Sequence, residues 1–250
     1  MADATLGRLN YESLSEQCLM ETLVGGFMNH LGIFHDEKSQ FLDVEEWIGV
    51  KTDGFGRIEE VDWSSRLFGG SISLEYLPPH IKHIDLSTNN LHGGARTDLL
   101  PRCVAMFHIY SNAFTDELSI AGLPSTIAEC FVNLNRFSGS LDLTAFPCAI
   151  QAFEASDNDF TGTLDLSQLP DSLEHLSLQN NHFSGTIDLI RVPQGLVQLS
   201  IRKNNISQKT VRIGKIPKTV YAIDLRENKI HTVKHVQTNV PLDPRVKFLL

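Results

Sequence analysis

The chain has few cysteines, no long apolar run and no excess of basic charge, and each shortage removes a class of function. Four cysteines in 250 residues, Cys18, Cys103, Cys130 and Cys148, show no CxxC spacing. Neither a zinc knuckle nor a dithiol redox pair is encoded, and reduced structural thiols are expected. No stretch approaches the about 18 consecutive apolar residues of a membrane-spanning helix. Residues Met1 to Asn10 lack a basic segment followed by an apolar core; this disfavours secretion and leads to the expectation of a cytoplasmic or organelle-associated protein without membrane insertion. Lys and Arg number 21 against 30 Asp and Glu, for a formal charge of −9, whereas a nucleic-acid binder needs a basic stripe to displace counterions. Nucleic acid is not an expected partner.

Catalytic signatures are also missing. There is no P-loop, dinucleotide-binding fingerprint, nucleophile elbow or HExxH, so neither an enzyme nor a cofactor is expected. His231 and His235 have a His-x3-His spacing but no cysteine or acidic partner in register, and no metal site is expected from them.

What is present is periodic. Units with the pattern LxxLxLxxNxF open at Ile58, Ile81, Val104, Ile127, Ile150, Leu173, Leu196 and Val220, at steps of 23 residues six times and then 24. A signature recurring at this period predicts a leucine-rich-repeat solenoid. In the unit opening at Leu173, apolar Leu176 and Leu178 alternate with polar His175 and Ser177, the period of two of a strand with one buried face. An asparagine follows (Asn89, Asn112, Asn135, Asn158, Asn181, Asn204, Asn228), placed to bond backbone groups left without ladder partners at a bend. Two residues on comes a large apolar group (Phe68, Leu91, Phe114, Phe137, Phe160, Phe183, Ile206, Ile230), read as a core column. A short alternating run then predicts a second strand, with Leu164 and Leu166 inward and Asp165 outward. A proline, from Pro78 to Pro241, turns the chain back.

These motifs resemble leucine-rich-repeat proteins, in particular the plant-like variant LxxLxLxxNxFSGTLDLxxLP abundant in kinetoplastid and other protozoan genomes. The resemblance covers roughly residues 47 to 241, and the lead-in Trp47-Ile48-Gly49-Val50 looks like the W-x-G-V of that class. This chain has Thr52 where secreted relatives carry a cap cysteine. The resemblance implies a protein-recognition scaffold and leaves the partner unspecified.

The expected fold is α/β: a solenoid with a parallel β-sheet on its concave face, short second strands and loops on the convex side, and an N-terminal helical cap. Residues 1–57 form the cap and lead-in, 58–241 the solenoid and 242–250 a C-terminal edge strand. Apolar residues from Leu14 to Leu31 at nearly helical spacing predict an amphipathic helix over Tyr11 to Leu31, starting at Ser13 or Ser15 and covering the first strand's open edge. The segment Val246 to Leu250 either folds over the last unit or offers an edge to another chain.

Outward positions of the inner strands are where unit-to-unit variation carries information other than fold. They run from acidic and polar (Glu60, Asp62, His83, Asp85) through apolar (Met106, His108, Tyr110, Phe131, Leu134) to partly basic (Arg202, Arg226). An apolar centre with a charged rim is how protein interfaces are composed, so these residues are expected to bind a protein partner, with Met106, His108, Tyr110 and Phe131 as the hot spot. The expected role is an adaptor or subunit of a larger intracellular assembly. The alternatives are a cell-surface or secreted recognition receptor and a regulatory module for an enzyme bound in trans.

Overall fold

In every unit after the first the apolar-centred triplet becomes a three-residue strand whose middle side chain points inward, and in the first it ends a five-residue strand. Val61, Ile84, Phe107, Cys130, Phe153, Leu176, Leu199 and Ile223 fill these places, and all are fully buried. The computed structural model describes residues 14–29, 32–237 and 240–250. Its concave face is one ten-stranded sheet in which the strand of each unit pairs in parallel with that of the next. The two ends of the sheet are closed differently. Val50–Thr52 pairs antiparallel with Ile58–Asp62 at the first unit, and Lys247–Leu249 pairs in parallel with Ala222–Asp224 at the last.

At the bend after each inner strand the asparagine column binds one unit to the preceding one. Asn158 Oδ1 accepts from Phe137 N–H at 2.9 Å, while its Nδ2 donates to the carbonyls of Val132, Ala155 and Ser156 at 3.0–3.3 Å. The same pattern recurs at Asn89, Asn112, Asn135, Asn181, Asn204 and Asn228. Between asparagine and sheet, every unit places a residue with positive φ: Ser65, Thr88, Ser111, Leu134, Asp157, Asn180, Lys203 and Glu227, all at 54–57°. None is glycine, so the stacked neighbours impose a conformation that is costly for most of these side chains.

Behind the asparagines, Phe114, Phe137, Phe160 and Phe183 are buried to within 1% and stack with centroids 6.1–6.2 Å apart and planes within 9°. Short second strands follow on the convex side: Gly69–Gly70, Asn90–Gly94 and Ala113–Thr115 in the first units, and Ser184–Gly185, Asn205–Ile213 and Lys229–His235 in the last. Isolated bridges such as Ser140 to Thr161 join the units between. Leu164 and Leu166 are buried and Asp165 is exposed, as the alternation requires.

The N-terminal cap differs from the expected long helix. The α-helix spans only Glu16–Leu23; a 3-10 turn over Val24–Gly26 and a two-residue strand, Phe27–Met28, follow it. Ser15 is the N-cap and accepts from Cys18 N–H; Ser13, Tyr11 and Leu31 lie outside the described residues. Gly25 and Gly26 explain the early stop, since paired glycines disfavour helix propagation. Nor does the helix cover the first inner strand's edge, which Val50–Thr52 takes. Phe27–Met28 instead pairs with Gly69–Gly70, and Gly70 has to be glycine: at φ 90°, a Cβ there would lie 2.0 Å from the Gly26 carbonyl oxygen. Helix residues Met20 and Leu23 join Phe27, Phe34, Trp47, Trp63 and Phe68 in closing the core. No helix among the described residues is long and apolar enough to cross a membrane.

Candidate functional site on the concave sheet

Strand register fixes which outward side chains meet. Asp62, Asp85, His108, Phe131, Glu154, Ser177, Ser200 and Asp224 lie side by side in one row across the sheet, and Glu60, His83, Met106 and Glu129 form the neighbouring row. Of the sequence-predicted residues, Glu60, Asp62, His83, Asp85, Met106 and His108 line a single shallow depression of about 140 Å³.

His108 is the centre of this arrangement. Its ring stacks on Phe131 at 4.3 Å with planes 3° apart, its Nε2 lies 3.1 Å from Glu129 Oε2, and its Nδ1 lies 3.9 Å from Asp85 Oδ2. Asp85 Oδ1 accepts from the Ser87 N–H and hydroxyl. Burial raises the Asp85 pKa, but the neighbouring His108 ring and the bonds from Ser87 outweigh it and leave this carboxyl below its ordinary value. On the acidic flank Glu60 pairs with Lys51 at 2.7 Å, with His83 Nδ1 at 3.9 Å from its other oxygen, while Glu59 pairs with Lys82.

Two expectations change here. Met106, His108, Tyr110 and Phe131 are half-buried, His108 and Phe131 by stacking on each other, and of the five apolar candidates only Leu134 is largely exposed, at 49%. The basic end is internally neutralised: Arg202 Nε donates to Glu227 at 2.7 Å, and Arg226 makes a two-point pair with Asp224 at 2.6 and 2.9 Å. Arg202 stands four strands from His108, about 19 Å along the sheet, so the structure does not bring it or Arg226 to the acidic group.

Sequence reasoning passed over Glu129, Glu154 and Asn133. Glu129 and Glu154 are found by counting 23 residues on from Met106 and Phe131. Asn133 Oδ1 is buried without a donor, which no linear pattern reveals.

Ser87, Asp85 and His108 do not form a nucleophilic relay. Ser87 is fully buried and gives its hydroxyl hydrogen to the carboxylate rather than to the imidazole. No cluster of three metal-ligating side chains occurs among the described residues. His231 and His235, four residues apart on one strand, are separated by about 13 Å, too far to share an ion. A larger open groove of about 580 Å³ lies on the convex side between Thr163, Asp165, Thr186, Asp188, Thr210 and Arg212. Its Gln208 amide is spent on the Ile187 N–H and carbonyl.

Comparison with known proteins matches this architecture. A Leucine Rich Repeat model matches residues 172–190. No curated protein matches in sequence. Among solved structures, a plant ice-binding protein aligns over 94% of this chain and 77% of its own, at TM-score 0.65 and 15% identity. Pollen Receptor Kinase 3 aligns over 91% of this chain and all of its own, at TM-score 0.54 and 18% identity. The leucine-rich-repeat ectodomain of the receptor kinase SOBIR1 from Arabidopsis thaliana aligns over 68% of this chain and 95% of its own, at TM-score 0.50 and 17% identity. Similarity at this level of identity establishes the solenoid fold.

Proposed function

We propose that the chain is a non-catalytic recognition scaffold that binds a protein partner on its concave sheet, as an adaptor or subunit of a larger assembly. The observation that carries this is the half-buried shelf of Met106, His108, Tyr110 and Phe131, rimmed by Asp62, Asp85 and Glu129 on the same face. An aromatic centre within a charged rim is the usual composition of a protein interface. Eight inner strands at about 4.8 Å present a face about 34 Å long, enough with its flanking loops for a partner of ordinary size.

The test is capture from the native source with tagged protein, wild type against Tyr110→Ala/Phe131→Ala. The partner should be lost from the variant while its melting temperature falls by only a few degrees. Retention of every partner by the variant would end this reading. A surface or secreted receptor is the second reading, favoured by receptor kinases such as Pollen Receptor Kinase 3 and SOBIR1 among the structural neighbours. Glycosylation and protease accessibility of the endogenous protein on intact cells distinguish the two.

A further inference from the structure

The row containing His108 has a spacing that defines the partner more closely. Asp85 and Glu154 flank the His108–Phe131 stack, one strand beyond it on each side. Three strand steps separate them, about 14 Å, and an extended chain covers about 13 Å between residues four apart. The carboxylates of this half are short of cations. Among the described residues Asp85 and Glu129 meet no ionisable partner but His108, and Glu154 has no ion pair. Lys51 and Lys82 are already held by Glu60 and Glu59. In the other half Arg202 and Arg226 are matched within the chain. Asn133, in the next row and the same unit as Phe131, adds a buried acceptor lacking a donor.

The geometry points to an extended segment of a partner protein with the pattern basic-x-apolar-x-basic, laid across the strands so that its cations reach Asp85 and Glu154 and its apolar side chain rests on the His108–Phe131 stack. This rests on the concave-face reading above and adds the chemistry and spacing of what binds. Charge complementarity of this kind selects partners and speeds encounter, and it weakens with salt.

The experiment is selection of a displayed library of random linear heptapeptides on the immobilised full chain, on Asp85→Asn/Glu154→Gln and on Tyr110→Ala/Phe131→Ala. Both Asp85→Asn and Glu154→Gln are near-isosteric, and folding of each variant is checked by its thermal transition. Wild type should enrich Arg or Lys pairs four residues apart with an apolar residue between, and binding of a synthetic winner should fall about tenfold or more as sodium chloride is raised. The carboxylate variant should lose the basic excess and keep the apolar preference. Winners without a basic excess, or the same basic winners on the carboxylate variant, would overturn the inference. If apolar winners still need Tyr110 and Phe131, the recognition reading survives that result. If wild type enriches nothing over the aromatic variant, both fall.

Discussion

Phe131 and Phe160 are the same residue type in adjacent units, yet they belong to different parts of the molecule. Phe160 lies in a stack between Phe137 and Phe183 and exposes none of its surface. Phe131 lies on the outer side of the sheet, half-buried against His108. The interior columns repeat one chemistry from unit to unit because each backbone bend presents the same orphaned groups, whereas the outward rows are released from that requirement and change in charge and polarity along the sheet. Repetition and variation are therefore separated by side-chain direction within a single strand and bend.

The sharpest way to break this comparison is to truncate both rings. Phe160→Ala should cost about 3–5 kcal/mol, from lost burial plus the cavity left in a stack that cannot collapse. Phe131→Ala should cost about 1 kcal/mol, since the ring is partly solvated and its partner is an imidazole. Urea denaturation measures both, and equal losses would place Phe131 in the core. Asn158→Ala should cost about 3 kcal/mol, because the Phe137 N–H and several buried carbonyls lose their partner together. Asn89→Ala, at the less buried start of the column, should cost less. A reversed order would show that the ladder is not the source of cohesion.

Thiol chemistry compares the same two environments. Burial pushes the Cys130 thiol up to about 12, while Cys18, Cys103 and Cys148 are exposed. A disulfide reagent should therefore modify three thiols of the native protein and the fourth only after unfolding; rapid reaction of all four would place Cys130 outside the interior. On the outer row, Asp85 has a carboxyl below its ordinary range, so it stabilises the fold above the unfolded carboxylate value of about 4, and that contribution disappears as pH falls through the lower folded value. Asp85→Asn should thus lower the melting temperature slightly at pH 6, and the difference should shrink as the pH is lowered below about 4. The smallest effect is expected at Thr88, exposed and held at φ 56°. Thr88→Asn should raise stability by about 0.5 kcal/mol, because asparagine tolerates that conformation better; a loss would mean that the threonine side chain has a role beyond the bend.

Much of the architecture was legible in the sequence. The 23-residue step, the asparagines and the phenylalanines all report backbone needs that recur identically, and they gave the inner sheet, the ladder and the core column. The cap was read less well, because helical spacing from Leu14 to Leu31 did not register Gly25 and Gly26 as a stop or Phe27–Met28 as a strand pairing with Gly69–Gly70. At the candidate site the rows were legible but the electrostatics were not. Arg202 and Arg226 look like free cations until Glu227 and Asp224 are seen beside them, and the pairing of Arg202 crosses a unit boundary. The positive-φ column escaped notice because it is marked by no glycine.

The stacked rings have one further consequence. Their centroids advance by 6.1–6.2 Å per unit, whereas the strands in front of them advance by about 4.8 Å. Each unit is thus a wedge, thicker at the ring than at the sheet, and ring width contributes to the curvature of the arc. Replacing Phe137 or Phe160 by a smaller apolar group would thin the back of the wedge and flatten that arc, so on the proposed reading affinity would respond to residues that the partner never touches.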